Sequence, residues 1–272
     1  MTAATAVREP SLDGVAAKRS HRPSVSVVVP TLNEAANLWH VLPLIPREYE
    51  LVLVDGHSTD NTVEVATTIR PSTRVVYQTR RGKGNALKCG FEAASGDIIV
   101  MIDADGSTDP REIPLFVDAL VEGADFAKGT RFARGGGSSD ITPVRRLGNW
   151  FLSGLVNVLF GTRYSDLCYG YNAFWRHCLP VMSVDCDGFE VETLINIRIA
   201  RGDLEIVEVP SFERDRIHGE SNLSAVNDGW RILKTIARER FRRAANWRPE
   251  ARTPSLLTEV LAPAPQLELE EA

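Results

Sequence analysis

The sequence has little of what secreted, disulfide-rich or membrane-spanning proteins need. Its 272 residues include four cysteines, too few and too widely spaced for a disulfide framework or a zinc site. Residues 1–22 contain no apolar core like that of a signal peptide, and the longest apolar stretch, 150–160, is too short and too interrupted to cross a bilayer. A formal charge of −5 gives no basic footprint for nucleic acid. We therefore expect a cytoplasmic protein with reduced thiols and no nucleic-acid partner.

What is present is the composition of a globular protein with one large domain. Hydrophobic residues make up 43% of the chain and charged residues 25%, which suffices for a buried core at this length. Residues 1–22 lack helical or strand periodicity, and residues 246–272 combine several prolines with an acidic end. We therefore expect a disordered leader at 1–22, one domain at 23–245 and a disordered acidic tail at 246–272.

Strand-like and helix-like segments alternate through the first half of this domain. Continuous β-branched and apolar runs are typical of strands buried on both faces, and they lie at 24–29, 50–54, 74–77 and 97–102. Helices are predicted at 34–44, 59–69, 83–94 and from Pro110, and later near 145–161, 188–201 and 222–243. The alternation predicts an α/β fold with a mostly parallel central sheet flanked by helices.

Acidic residues follow or close three of the predicted strands. Glu34 follows the first strand, Asp55 closes the second, and Asp103 and Asp105 follow the fourth. Ligands of open α/β sheets lie at the carboxyl ends of the strands. Positions i and i+2 of an extended chain share one side, so both Asp103 and Asp105 can face one cation. Oxygen ligands without nearby His or Cys suit Mg²⁺ or Mn²⁺; the alternative is a surface turn without a metal.

Two basic, glycine-containing segments are suited to phosphate. Residues 80–85 lead into a predicted helix whose N-terminus favours anions, but their spacing is neither that of a P-loop nor that of a dinucleotide fingerprint. A solvated basic turn explains them equally well. The second segment, 129–131, follows a short predicted strand and brings Arg131 to the same edge of the sheet.

Taken together, the motifs resemble those of the family-2 glycosyltransferases with the GT-A fold. Within that family the resemblance is to the dolichyl- and polyprenyl-phosphate sugar synthases, and it covers about residues 24–237. It rests on the ordered segments SVSVVVPTLNE, LVLVDGHSTDNT, GKGNALKCG, GDIIVMIDADGSTDP, KGTRF, YSDLCYGYNAFWR and EVPSFERDRIHGESNLS. The resemblance implies a nucleotide-sugar donor and a divalent Mg²⁺ or Mn²⁺ ion.

The resemblance also implies roles for individual residues. The nucleobase and ribose would contact Pro30, Leu32, Glu34 and Asp55, and the nucleotide would meet Lys83 or its neighbour Arg81. The metal would be held by Asp103 and Asp105, with Ser107 as a further ligand. Phosphates would meet Arg131 and, on the acceptor, Arg145 or Arg146. Acidic positions near the acceptor are Asp166 and Glu192, and the segment that closes over the donor contains Arg216 and Ser221. Asp105, Arg131 and Asp166 are the candidate catalytic residues.

The predicted reaction is the inverting transfer of a hexose from GDP-mannose or UDP-glucose to polyprenyl phosphate. An acceptor hydroxyl on a soluble molecule or natural product is the alternative, and it would need a base such as Asp166. An inactive nucleotide-binding scaffold is an alternative of another class. A sugar-nucleotide pyrophosphorylase is disfavoured, because the first strand is followed by PTLNE rather than a glycine-rich signature.

Two departures from the family pattern bear on these roles. His57 stands where a second acidic residue is common, and Asn222 stands where a basic residue commonly follows the serine. Separately, residues 229–243 form a basic amphipathic stretch in which six of 15 residues are Lys or Arg. Two interpretations stay open for this stretch: a helix on the inner face of a membrane, making the protein peripheral, or a helix docked on its own domain.

Overall fold

The computed structural model describes residues 22–219 and 225–242. The predicted leader, the acidic tail and Ser221 therefore lie outside the described residues. Nine strands are described, β1 (Val25–Thr31), β2 (Glu50–Asp55), β3 (Arg74–Tyr77), β4 (Ile98–Met101), β5 (Phe126–Thr130), β6 (Gly137–Ser138), β7 (Asn172–Trp175), β8 (Ile206–Pro210) and β9 (Phe212–Glu213). The described α-helices are α1 (Ala35–Val41), α2 (Thr62–Ile69), α3 (Lys83–Ala93), α4 (Ile113–Val121), α5 (Pro143–Phe160), α6 (Leu179–Met182), α7 (Val191–Arg201) and α8 (Ala225–Phe241).

Seven strands form the central sheet, in the order β3-β2-β1-β4-β7-β5-β8. Strands β1 to β4 are parallel, and β8 is parallel to β5. Strand β7 lies between β4 and β5 and is antiparallel to both. The predicted α/β fold with a mostly parallel sheet is confirmed, and the parallel pair β6–β9 forms a small separate ribbon.

The β-branched runs explain why this sheet is buried on both faces. Along β1, Val27 and Val29 belong to one core cluster and Val28 to the other, as the period of two in a strand requires. Helices α1, α2 and α4 cover the first face, and α3, α6 and α7 cover the second. Two helical layers on one sheet account for strands without the apolar–polar alternation of a half-exposed sheet.

A third apolar cluster joins the late helices to this sandwich. It includes Leu152 and Val156 of α5, Ile197 of α7 and Ile232 of α8. Because α7 also covers the second face of the sheet, this cluster fixes α5 and α8 to the central domain. Within the described ranges, no helix has both the length and the apolar character needed to traverse a membrane.

Candidate functional site

A cavity of about 490 Å³ opens at the carboxyl edge of the sheet. Loops after β1 and β4, the end of β5 and the helices α3, α5, α7 and α8 contribute to it. Most of the residues predicted for the site line this cavity, namely Pro30, Leu32, Glu34, Lys83, Asp103, Asp105, Ser107, Arg131, Arg145, Glu192 and Arg216. The strand ends therefore converge as the parallel topology predicts.

Each carboxylate of the Asp103–Asp105 pair holds a basic side chain. Lys83 Nζ lies 2.6 Å from Asp103 Oδ1, and Arg216 Nη2 lies 2.8 Å from Asp105 Oδ2. The Ser107 amide donates to Asp105 Oδ1 at 2.9 Å and fixes that carboxylate in the loop. The pair thus presents oxygens that already bind cationic groups.

Lys83 is shared between two carboxylates at the start of α3. Its Nζ lies 2.9 Å from Glu192 Oε1 as well as against Asp103. Burial alone would lower the pKa of Lys83, but Asp103 and Glu192 raise it well above its ordinary value. A side chain at Gly170 would place its Cβ 3.0 Å from Lys83 Nζ, so glycine lets the backbone pass close to this cluster.

Several carboxylates lie close to Glu34 on the side of the cavity formed by the strand ends. Burial raises the pKa of Glu34, as do Asp105 and Asp103, while a hydrogen bond from Asn37 and the charge of Arg216 oppose the rise. Three carboxylates thus act on one another in a partly desolvated place. A bound divalent cation would relieve that repulsion.

Asp103 and Asp105 suit a cation that is bound partly by the protein and partly by a substrate. Within the residues described, no three His, Cys, Asp or Glu side chains form a metal-ligating group. Two aspartates with phosphate oxygens and water are the usual environment of Mg²⁺, which rarely takes a protein cage. Asp103 and Asp105 are therefore the residues that would hold the metal beside a diphosphate.

Arg131 lies at the end of β5 in a buried network of charges. Its Nε lies 2.7 Å from Asp166 Oδ2 and its Nη2 lies 2.9 Å from Asp166 Oδ1, a bidentate pair. Nη1 contacts Glu213 Oε2 at 3.0 Å. Burial would lower the pKa of Arg131, but the two carboxylates raise it. The guanidinium faces the cavity in a fixed orientation.

Asp166 is placed to hold Arg131 rather than to reach a substrate. Its side chain is fully buried and does not line the cavity. Burial would raise the pKa of Asp166, yet the hydrogen bonds and charge of Arg131 lower it below its ordinary value. A carboxylate so paired is a weak proton acceptor, which argues against its predicted role as a base for a hydroxyl acceptor.

Asp55 does not line this cavity. It is buried at the end of β2, where Oδ2 accepts from the Ser58 amide at 3.0 Å and Oδ1 has no hydrogen-bond partner in the described part of the chain. It borders a second cavity together with His57 and Tyr77. His57 has a φ of 64°, a left-handed conformation typical of a turn.

The remaining predicted basic residues have different surroundings. Arg81 is exposed and does not line the cavity, so Lys83 is the one of the two that reaches it. Arg145 lines the cavity and pairs with Asp140 at 3.2 Å. Arg146 is exposed and its guanidinium lies 5.5 Å from the centre of the Phe132 ring.

Several cavity residues were missed by sequence reasoning. They are Gln78, Asp140, Asn149, Tyr169, Thr193, Glu213 and Asp228. Glu213 and Tyr169 lie inside segments that carry the family resemblance, and that was the available signal. Asn149 and Thr193 sit on helix faces that look like ordinary core positions, so nothing in their spacing marks them.

The outward face of α5 is apolar, next to the mouth of the cavity. Trp150 is 72% exposed, Phe151 55% and Val158 83%, and Val144 and Leu147 continue the same exposed face. Leu155 and Leu159, by contrast, are partly buried against the third core cluster. A plain core helix therefore accounts for only part of this apolar stretch, because globular proteins rarely expose so large an apolar face.

Comparison with known proteins agrees with this geometry. Residues 26–182 match the sequence profile described as Glycosyl transferase family 2. Glycosyltransferase AglJ of Haloferax volcanii is 31% identical over 221 residues, which are 79% of this chain and 71% of that protein. An undecaprenyl-phosphate mannosyltransferase of Micrococcus luteus is 30% identical over 82% of this chain and 96% of its own.

A further relative and a solved structure extend the comparison. Dolichol-phosphate mannosyltransferase of Pyrococcus furiosus is 31% identical over 73% of this chain, which spans 59% of that longer protein. Glucosyl-3-phosphoglycerate synthase of Mycobacterium tuberculosis, crystallised with Mn²⁺, UDP and phosphoglyceric acid, superposes with a TM-score of 0.62. It is 27% identical, and the match covers 80% of this chain and 79% of that one.

Proposed function

This chain belongs to glycosyl transferase family 2, and we propose that it transfers a hexose from a nucleotide-diphosphate sugar to polyprenyl phosphate. GDP-mannose and UDP-glucose are the candidate donors. The reaction depends on Mg²⁺ or Mn²⁺ and inverts the anomeric centre. The observation that carries this acceptor is the pairing of a cavity arginine, Arg145, with the exposed apolar face of α5.

Helix α5 carries both a basic side chain in the cavity and an apolar outer face, and an amphiphilic acceptor could contact both. Arg145 lines the cavity, and a guanidinium can hold phosphate oxygens in pairs. On the same helix Trp150 and Phe151 offer apolar surface to an isoprenoid chain or to the bilayer in which it lies. The polyprenyl-phosphate acceptors named for the Pyrococcus and Micrococcus relatives support the same choice.

The donor occupies the opposite, acidic end of the cavity. A divalent cation bound by Asp103 and Asp105 would neutralise charge on the leaving diphosphate. Lys83 and Arg216 lie against the same two carboxylates, so both cationic groups are within reach of diphosphate oxygens when the donor binds. Fixed positive groups stabilise the developing negative charge without having to reorganise during the reaction.

An anionic acceptor removes the need for a general base. A phosphate oxygen attacks the anomeric carbon directly, the bond from that carbon to the diphosphate breaks, and configuration inverts. Asp166 then needs no proton-accepting role, in agreement with its pairing to Arg131. Its function is to orient the guanidinium that meets a phosphate.

A hydroxyl acceptor is the second candidate. It is favoured by the structural similarity to the mycobacterial synthase, which was crystallised with phosphoglyceric acid. Such an acceptor must lose a proton in the transition state. Within the cavity the carboxylate of Glu192 is already occupied by Lys83, whose Nζ lies 2.9 Å from Oε1.

A direct comparison of acceptors tests the proposal. Transfer is measured to a short-chain polyprenyl phosphate, to the matching polyprenol and to phosphoglyceric acid, with each candidate donor. We expect product with polyprenyl phosphate alone, and we expect Arg145→Ala to raise its KM while the donor KM stays within about twofold. Arg163→Ala, which changes an arginine that does not line the cavity, is the matched control. Product only with a hydroxyl acceptor would replace the first candidate by the second.

A further inference from the structure

We propose that Asn149 and Thr193 recognise hydroxyl groups of the transferred hexose. This inference rests on the proposed function, because it assigns the sugar-binding part of the same cavity. Both side chains line the cavity, and both are buried, Asn149 at 3% exposure and Thr193 at 1%. Asn149 Nδ2 and Thr193 Oγ1 have no hydrogen-bond partner within the described residues.

The orientation of the Asn149 amide is fixed by the backbone. Its Oδ1 accepts from the Leu167 amide at 3.2 Å and from the Cys168 amide at 3.0 Å. Because both partners are N–H donors, the side-chain atom that accepts from them must be the oxygen and not the nitrogen. The NH₂ group is therefore a buried donor that points away from these bonds.

Thr193 presents its hydroxyl from the first turn of α7, beside Glu192. Leaving a buried hydroxyl unpaired costs folding free energy, and a valine of the same shape would avoid that cost at this position. Such polar atoms are therefore candidates for contact with a ligand.

Short paths along the chain join this pair to Asp103. Cys168 is bonded to Asn149, and two residues later a Cβ on Gly170 would lie 3.4 Å from Asp103 Oδ2. Thr193 follows Glu192, whose carboxylate shares Lys83 Nζ with Asp103. A hexose attached to a diphosphate at Asp103 would therefore lie in the part of the cavity that Asn149 and Thr193 line.

The chemistry of this end of the cavity favours a neutral polyol. Asn149 and Thr193 are uncharged, and their unpaired atoms are an amide nitrogen and a hydroxyl oxygen, groups that pair with hydroxyls. Burial raises the pKa of the Cys168 thiol to about 12, so that group is uncharged at neutral pH. A sugar hydroxyl can accept from the Asn149 amide and donate to Thr193 Oγ1, whereas an isoprenoid chain would leave both unpaired.

Binding without any acceptor tests the inference. The affinities of UDP, UDP-glucose, GDP and GDP-mannose are measured by calorimetry with Mg²⁺ for the full chain and for Thr193→Val, Thr193→Ser and Asn149→Asp. We expect Thr193→Val and Asn149→Asp to weaken the favoured sugar nucleotide roughly tenfold, the value of one hydrogen bond to a buried group. The matching nucleoside diphosphate should change less than about twofold, and Thr193→Ser, which keeps the hydroxyl, should bind like the native chain.

The control variant removes a hydrogen bond to the Leu167 amide at a residue that does not line the cavity. Ser153 Oγ accepts from the Leu167 amide at 3.1 Å and does not line the cavity, so Ser153→Ala should leave sugar binding unchanged. Equal weakening of nucleotide and sugar nucleotide, or no weakening, overturns the inference. So does an increase in the polyprenyl phosphate KM alone. A native chain that binds no nucleotide sugar overturns the proposed function as well.

Discussion

At the scale of single residues, the two aspartates after β4 are the proposed metal ligands. Asp105 is the more buried of the two and holds Arg216, and Asp103 holds Lys83. Each acidic side chain is paired with a basic one. In the proposed function these internal ion pairs would be exchanged for contacts with a metal and a diphosphate.

Removing Asp105 tests its assignment as a metal ligand. We predict that Asp105→Ala lowers kcat by about 10²–10³-fold, the usual effect of losing one electrostatic partner of a transition state. Its fold should persist, with a far-ultraviolet circular dichroism spectrum like that of the native chain. Asp118→Ala, which changes an exposed acid on α4, is the control. Near-native transfer by folded Asp105→Ala would refute the assignment.

Arg216 competes with a cation for Asp105. We predict that Arg216→Gln tightens Mn²⁺ binding without nucleotide by roughly fivefold, because a pair worth about 1 kcal/mol no longer has to break. The same change should weaken binding of the nucleoside diphosphate, which loses a guanidinium partner. Electron paramagnetic resonance of free Mn²⁺ measures the first effect. Unchanged or weaker Mn²⁺ binding would show that Arg216 does not compete.

The Arg131–Asp166 pair predicts a dependence of stability on pH. The pKa of Asp166 in the folded chain is below its ordinary value of 3.8, so its stabilising effect is complete above that value and is lost as pH falls through the folded pKa. Asp166→Asn leaves Arg131 with less buried countercharge and should cost about 3 kcal/mol at pH 7. Urea unfolding of both chains should show this difference shrinking below about pH 4. A difference that is constant from pH 7 to pH 3 would contradict the pairing.

At the scale of elements, α5 has two unlike faces. Its inner face packs Leu152 and Val156 into the third core cluster, and its outer face exposes Trp150, Phe151 and Val158. The helix also delivers Arg145 to the cavity. One element thus joins the domain core, the cavity and an apolar surface.

The apolar face of α5 predicts binding to lipid. We expect Trp150→Ser with Phe151→Ser to reduce binding to vesicles of anionic phospholipid by at least tenfold, because burial of such side chains contributes about 1.5–3 kcal/mol each. Transfer to a water-soluble, short-chain polyprenyl phosphate should change far less. Leu115→Ser, at an exposed apolar position on α4, is the matched control. Equal vesicle binding by all three chains would exclude α5 as the contact.

The sequence predicted the elements whose signal is local. β-branched runs marked β1, β2 and β4. The helical turn predicted from Pro110 is present and is capped by Asp109, whose side chain accepts from the Arg111 amide at 3.0 Å. Strands β7 and β8 were not predicted. Strand β7 is short and pairs with strands far away in sequence, so its place depends on long-range packing rather than on its own pattern.

The residues of the candidate site also fall into those that could be predicted from the sequence and those that could not. Residues at strand ends, such as Glu34 and Asp103, could be predicted because topology brings strand ends together. Thr193 and Asn149 could not, since the positions on a helix that face a cavity are known only after the domain has folded. Asp166 was located near the site, but its burial and its pairing with Arg131 were beyond sequence reasoning.

At the scale of the whole molecule, the cavity has two differently built sides. Glu34, Asp103 and Asp105 line it at the strand ends, and Arg145 lines it from α5, the helix whose outer face is apolar. In the proposed function, a donor diphosphate would bind on the first side and an anionic lipid acceptor on the second, and they would meet at the anomeric carbon.

The most direct test of this account is the product itself. The full chain is incubated with Mg²⁺, GDP-mannose or UDP-glucose, and a short-chain polyprenyl phosphate, and the lipid product is identified by mass spectrometry and its anomeric configuration by NMR. We predict a polyprenyl-phosphate hexose, inverted relative to the donor, whose formation stops in excess EDTA. No glycosylated lipid with either donor, from a chain that still binds one of them, would contradict the account.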